Sequence, residues 1–217
     1  MILTLGPDNL STTLDFTVDY PKVGVYMSGG LDSTALLCLI ISELLLVNKL
    51  YDTPIICFTV DKNDNSASNA ALVIDKVKEH FNCEITHVKN VENDKDAKIK
   101  GYLGYIAMQA VKNYSPNMKI YMGINRMAPP ELKTFKHPLK IDYGTSITTT
   151  MYTAPFLFLH KPHIIDILYK LGCEDIIPYT RSCTQVDVGT CGECYACEER
   201  IWGFEMLGKT DPSTIII

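Results

Sequence analysis

The chain has no run of about 18 uninterrupted apolar residues, the least that a membrane-spanning helix needs, so no membrane span is expected. Its first residues, Met1-Ile2-Leu3-Thr4-Leu5-Gly6, lack the basic start and cleavage site of a secretory signal, and a cytoplasmic location is the default expectation. There is no excess of positive charge: 20 Lys and Arg stand against 25 Asp and Glu, a formal net charge of -5. General nucleic-acid binders are usually basic, so nucleic acid is not an expected partner, although the balance leaves room for a local basic groove. No internal repeat divides the 217 residues, which suit one domain of good size, or one domain with a small appendage. With 47% hydrophobic and 21% charged residues, such a chain can bury a core without covalent staples. In a reducing compartment the eight cysteines do not read as four disulfides.

What is present alternates. Lys22 to Met27 reads as a buried strand that runs into a Ser28-Gly29-Gly30 turn, followed by a strongly apolar helix from about Asp32 to Val47. Pro54 to Val60 is a second strand. A helix is expected near Asn69 to Phe81, where Leu72, Val73, Val77 and Phe81 fall at helical spacing. Glu84 to Val88 is a weaker third strand, Tyr102 to Tyr114 a helix, and Lys119 to Gly123 a fourth strand. Short apolar strands alternating with helices predict an α/β fold with a parallel sheet and right-handed crossovers. Two alternating runs around Gly6-Pro7-Asp8-Asn9 predict a small hairpin within residues 1–20, at the sheet edge. Arg126 to Thr150 reads as a long loop or lid, Lys161 to Leu171 as a helix, and Glu198 to Leu207 as a short helix. The main domain is expected over 1–178, with a metal-binding motif and tail, 179–217, packed on it.

A strand that turns through Ser28-Gly29-Gly30 into a helix makes an anion site. Glycine lets the backbone approach a phosphate. The first amides of the helix point outward, and the helix dipole adds positive charge. The hydroxyls of Ser28, Ser33 and Thr34 can donate further hydrogen bonds. Asp32 beside phosphate calls for a divalent cation between them, so Mg2+ is expected. The alternative is a tight turn with Asp32 as an N-terminal helix charge. No G-K-[ST] ending follows, so this is not a Walker A loop. Ser28-Gly29-Gly30-Leu31-Asp32-Ser33-Thr34 resembles the SGGxDS signature of the PP-loop ATP-pyrophosphatases. That resemblance implies a doubly wound sheet and cleavage of ATP between its α and β phosphates, leaving an adenylated substrate. It also implies that Met27, Ser28, Gly29, Gly30, Leu31, Asp32, Ser33 and Thr34 hold the nucleotide, a placement that agrees with the switch-point rule for open sheets.

Cys183 is followed by Cys191, Cys194 and Cys197, the last three at steps of three. Four thiolates so spaced can close a tetrahedral zinc site with no open position, hence a structural one. Such a site would pin the tail to the domain and contribute folding energy. Iron–sulfur ligation uses the same residues, and a redox-active C-x-x-C pair the same spacing, so both remain alternatives. Ser182-Cys183 and the run Cys191-Gly192-Glu193-Cys194-Tyr195-Ala196-Cys197-Glu198-Glu199-Arg200, then Gly203-Phe204, are similar to the C-terminal zinc motif of the 7-cyano-7-deazaguanine synthases. Ala154-Pro155-Phe156-Leu157, Lys161, Leu171-Gly172 and Thr180-Arg181-Ser182-Cys183 resemble the stretch upstream of that motif.

This second resemblance implies an ATP-dependent carbon–nitrogen ligase of queuosine-type nucleoside biosynthesis. ATP would adenylate the carboxylate of 7-carboxy-7-deazaguanine, ammonia would displace AMP to give an amide, and a second ATP would activate the amide oxygen, whose loss leaves a nitrile. ATP, Mg2+ and Zn2+ are the implied cofactors, and a homodimer is common in the family. Asp32, Ser33 and Lys161 are the candidate catalytic residues. Lys161 would contact phosphate, the alternative being a solvated lysine at a helix start. Three stretches depart from the family pattern, at 61–64, 99–102 and 123–131, and the last two are where the base would bind. They suggest another acceptor, a related deazapurine or a macromolecule, with Asn125, Arg126 and Glu131 as candidate contacts. A PP-loop enzyme that modifies tRNA and a non-catalytic nucleotide-binding protein are the other readings. The histidines, His160 and His163 beside Lys161 included, read as surface residues, and the lysines at 95, 98, 100, 133, 136 and 140 as a solvated face. The tail from Thr210 to Ile217 would pack or dock on a partner.

Overall fold

The computed structural model describes residues 1–61, 66–91, 112–114, 117–128, 152–186 and 189–215. In chain order these form β1 (Ile2–Leu5), β2 (Thr12–Asp15), β3 (Lys22–Tyr26), α1 (Leu31–Leu46), β4 (Ile55–Asp61), α2 (Ser66–Phe81) and β5 (Thr86–Val91). Then come β6 (Met118–Met122), β7 (Tyr152–Thr153), α3 (Lys161–Lys170), a 3₁₀ turn (Glu174–Tyr179), α4 (Tyr195–Met206) and a closing 3₁₀ turn (Pro212–Ile215). No helix among them is long and apolar enough to cross a membrane.

Five strands make one sheet in the order β5-β4-β3-β6-β7, every pair parallel. The strands read as continuous apolar runs because both faces are covered. Val23, Val25, Ile55, Cys57 and Tyr121 join one core with the buried residues of α1, α2 and α3. Their neighbours Ile56, Phe58, Val60, Met118 and Ile120 form a second core on the opposite face, where Tyr114 packs. The period of two is that of a pleated strand. α1 is buried from Leu31 to Ile41 almost without a break, as a helix that is apolar all round must be. It stops at Asn48, whose φ of 54° lets Lys49 N donate to Leu44 O at 2.8 Å.

The predicted hairpin forms, but not at the sheet edge. β1 and β2 pair antiparallel as a separate two-stranded sheet. It docks on α3, where Gly6 N donates to Asp166 Oδ2 at 2.9 Å. Turn signals identify a hairpin but say nothing of where it lands. The two-residue β7 is too short to carry a pattern and was not expected. α4 begins three residues earlier than its apolar spacing suggests, because Cys194 takes the cap position. The expected helix 102–114 is described only at 112–114, and most of the expected lid 126–150 lies outside the described residues.

β3 is the central strand. The chain proceeds from it to β4 on one side, and β6 lies on the other, so the loops after β3 and β6 flank the switch point of the sheet. They touch: a Cβ on Gly123, just after β6, would stand 2.8 Å from Asp32 C and Ser33 N. Only glycine permits that approach.

Candidate functional site

Met27 to Gly30 join β3 to α1, and Leu31 to Thr34 form the first turn of α1. Gly29 has φ +75°, and a Cβ there would meet Asn69 Nδ2 at 2.6 Å and Ala70 N at 2.7 Å. The loop is tied down by its hydroxyls. Ser33 Oγ donates to Gly30 O at 3.1 Å and accepts from Ser28 N at 3.3 Å, while Thr34 Oγ1 donates to Gly30 O at 2.8 Å. The first intrahelical amide bond is Thr34 N to Gly30 O, so the amides of Leu31, Asp32 and Ser33 have no acceptor one turn back. Two distant segments hold the loop from outside: Asn69 Nδ2 and Arg181 N both donate to Gly29 O, at 2.8 and 3.0 Å. Beneath it, Thr59 Oγ1 donates to Met27 O at 2.7 Å and accepts from His87 Nε2 at 2.9 Å. Burial, then Lys89, holds the His87 imidazole below its ordinary pKa, which suits a neutral ring. Met27 donates its N–H to Phe58 O, and its side chain is fully buried, so it contributes support rather than a donor for phosphate.

Asp32 and Lys161 come together across the fold. Lys161 Nζ lies 2.6 and 2.7 Å from the two carboxylate oxygens of Asp32, and 3.1 Å from Glu199 Oε2. Lys161 is buried at 3% exposure, which overturns the solvated alternative. Burial alone would lower its pKa, but Asp32 and Glu199 outweigh that and hold it above the ordinary lysine range. Glu199 Oε1 accepts from Asn125 Nδ2 and from Tyr195 OH, both at 3.2 Å. Burial, then Glu199, pushes the Tyr195 phenol up to about 12. Arg126 is exposed, and Glu131 lies outside the described residues.

The four cysteines converge. Cys183 and Cys197 are buried, Cys191 and Cys194 half-buried, and their sulfurs all lie within 4.8 Å of one another. Cys194 and Cys197 sulfurs are 3.4 Å apart, Cys191 and Cys197 3.9 Å. A single tetrahedral ion with metal–sulfur bonds of about 2.3 Å requires sulfur–sulfur edges of about 3.8 Å. The set fits one ion; a multi-iron cluster would hold its thiolates farther apart. Burial works to raise the Cys183 thiol, but the amides of Gln185, Cys191 and Val186 bring it down to about 6, which favours a ligating thiolate. Behind the cluster, the buried Arg200 donates to Asp211 at 2.7 and 3.0 Å and to Thr180 Oγ1 at 2.8 Å, binding α4 to its flanking segments.

A cleft of about 470 Å³ lies beside the cysteine cluster and is bounded by Asn69 and Arg181, the two residues that hold Gly29 O. Asn69, Leu72, Tyr179, Arg181, Cys197 and Ile201 line it, and its volume is in the range of small-molecule sites. His160 and His163, expected at the surface, are buried. His163 Nε2 donates to Leu10 O at 2.6 Å and its Nδ1 accepts from His160 N at 2.9 Å, so its tautomer is set by a structural role. Sequence reasoning missed Glu199, Tyr195 and Asn69 as members of the site. The Glu199-Arg200 pair after the last cysteine was a signal, since adjacent charges on a short helix need partners if both are buried.

Comparison with known proteins gives the same two ends of the chain. Residues 16–106 match the family model described as Asparagine synthase, and residues 132–208 the model described as Queuosine biosynthesis protein QueC. The 7-cyano-7-deazaguanine synthase of Persephonella marina is 40% identical over 65 residues, 29% of this chain and 26% of that protein. The corresponding enzyme of Oceanobacillus iheyensis is 39% identical over 72 residues, 32% of this chain and 31% of that protein. That of Chromobacterium violaceum is 26% identical over 92 residues, 42% of this chain and 38% of that protein. The matched segments thus span 26% to 38% of these curated relatives. Among solved structures, an NH3-dependent NAD synthetase from Campylobacter jejuni aligns with a TM-score of 0.43 and 18% identity, over 74% of this chain and 68% of that one. The U34-tRNA thiolase NcsA from Methanococcus maripaludis, solved with its [4Fe-4S] cluster, aligns with a TM-score of 0.49 and 16% identity, over 97% and 72%. The chain is similar to the 7-cyano-7-deazaguanine synthases and to PP-loop enzymes that use ATP.

Proposed function

We propose that this protein adenylates a carboxylate at the expense of ATP and passes the activated acyl group to ammonia, with a 7-deazapurine carboxylate as the acceptor. The observation that carries the reading is the meeting of Asp32 and Lys161 at the mouth of the Ser28–Thr34 loop, at the switch point of a parallel sheet. The amides of Leu31 to Ser33 and the hydroxyl of Ser28 would take the pyrophosphate half of ATP. Asp32 would hold Mg2+, which neutralises phosphate charge. Lys161 would then face the phosphate at which charge develops.

The chemistry is displacement at phosphorus. A carboxylate oxygen attacks the α-phosphorus, the bond to the bridging oxygen breaks, and pyrophosphate leaves. Ammonia then adds at the carbonyl carbon, and AMP departs with the former carboxylate oxygen, leaving an amide and releasing a proton. A second ATP adenylates the amide oxygen, and loss of AMP and protons yields the nitrile. Carboxylate oxygen is a poor leaving group and a phosphate ester a good one, so the protein's task is placement and charge stabilisation. The four cysteines would hold Zn2+ as a structural ion.

The test incubates zinc-replete protein with ATP, Mg2+, ammonium and 7-carboxy-7-deazaguanine, following pyrophosphate release and product mass. Amide and then nitrile are expected. Folded, ATP-binding protein that forms neither would overturn the deazapurine reading and leave a PP-loop enzyme with another acceptor.

A further inference from the structure

Lys161 is held from three directions, and only one of them is the phosphate loop. Its stem lies against α4 at Gly203, where a Cβ would stand 2.8 Å from Lys161 Cγ and 2.7 Å from Ile165 Cδ1. Its ammonium meets two carboxylates of different exposure. The Asp32 side chain is 24% exposed, while that of Glu199 is 6% exposed. The other oxygen of Glu199 reaches Asn125, in the segment that leaves β6, and Tyr195, whose hydroxyl accepts from Ala128 N at 3.2 Å in the same segment. That segment starts at Gly123, pressed against the backbone of Asp32 and Ser33. One carboxylate on α4 thus joins the lysine, the loop after β6 and the helix whose cap is Cys194.

We infer that Glu199 is a positioning residue: it holds Lys161 and the loop after β6 against the phosphate loop, and so makes the four-cysteine segment part of the ATP site. The inference rests on the proposed function for its kinetic consequence, not for its geometry. Asp32 engages Lys161 in the structure, and under the proposed function the same carboxylate would hold Mg2+. An Asp32 given over to a cation would hold the lysine less. A buried ammonium deprived of every partner is strongly unfavourable, and it would seek another acceptor. Glu199 is the partner that stays. It keeps the charge compensated and the side chain aimed while Asp32 changes hands, and its own direction is set by Tyr195 and Asn125. A carboxylate that served packing alone would not need a cation within 3.1 Å and two donors on its other oxygen.

The experiment compares wild type with Glu199→Gln and Tyr195→Phe, each checked for fold by circular dichroism and for bound metal by mass spectrometry. In pyrophosphate release, E199Q is expected to lower kcat by about tenfold or more, because small misplacements of a reacting group are costly. KM for ATP should move by less than about threefold, since uniform binding is untouched. Y195F should move kcat in the same direction by less, and it decides the matter if E199Q fails to fold. A readout independent of turnover is acylation of Lys161 by a lysine-directed reagent, read by peptide mass spectrometry. Lys161 should be protected in the wild type and become reactive in E199Q and after chelation of the metal, with helical signal retained. The inference is overturned if Lys161 stays protected in the variants and the metal-free protein, or if the kinetic loss falls wholly on KM. If the wild type turns over no acceptor, the proposed function fails, and the labelling still decides the role of Glu199.

Discussion

Gly29 answers two demands at once. Its φ of +75° is one that an L side chain adopts at a cost of about 1–2 kcal/mol. A Cβ would also press on the backbone of α2 at Ala70 N. Gly29→Ala should therefore lower the melting temperature by several degrees and suppress ATP-dependent pyrophosphate release. A variant as stable and active as the wild type would show that the loop can adjust. Asp32 poses a different question, because its loss leaves Lys161 with Glu199 as a counter-charge. Asp32→Ala should remain folded and keep its metal, while pyrophosphate release falls by about 100-fold or more, the scale of losing an electrostatic contact to the transition state. Equal loss of fold and activity would make Asp32 a structural residue first.

At the scale of the element, α4 carries the cysteine cap and the buried Arg200, which pairs with Asp211 beyond the helix's C-terminal end. Burial works to raise the Asp211 carboxyl, but Arg200 outweighs it and holds the group below its usual range. Its folded value lies below the unfolded one, near about 3.9, so the pair stabilises fully above about pH 4 and is lost as pH falls through the folded value. Removing one member of a buried pair costs about 3–5 kcal/mol. Asp211→Asn should thus be destabilised in urea melts at pH 7, with the gap to wild type closing in acid. A gap that is constant from pH 7 to pH 3 would exclude the ion pair as its source. This helix also marks the limit of what the sequence discloses. The Ser28–Thr34 loop and the cysteine spacing are legible because their chemistry is local. The strands from Lys22, Pro54 and Lys119 are legible because burial on both faces writes continuous apolar runs. Glu199 is not, since its partner Lys161 belongs to another helix. His163 reads as a surface residue because its acceptor, Leu10 O, is 153 residues away. Adjacency of that kind leaves no periodic trace.

Over the whole molecule, the metal is expected to join the C-terminal segment to the sheet domain. One equivalent of zinc per chain should be found. Its removal should lower the melting temperature, because metal-binding free energy is folding free energy for such a site. Protease should then cut first near the cysteine loop. Iron in place of zinc, with the absorption of a cluster, would overturn the single-ion reading. Unchanged stability without metal would deny the segment its joining role.

The carbonyl of Gly29 has a further consequence for the order of events in synthesis. It accepts one bond from Asn69, forty residues downstream, and one from Arg181, near the other end of the chain. Translation delivers the loop and Asn69 well before Arg181, the second of the two outer braces. Contacts of such long separation form late in folding as well. A nascent or truncated chain ending before Arg181 would carry the whole Ser28–Thr34 signature with only Asn69 to hold the Gly29 carbonyl, one of its two braces.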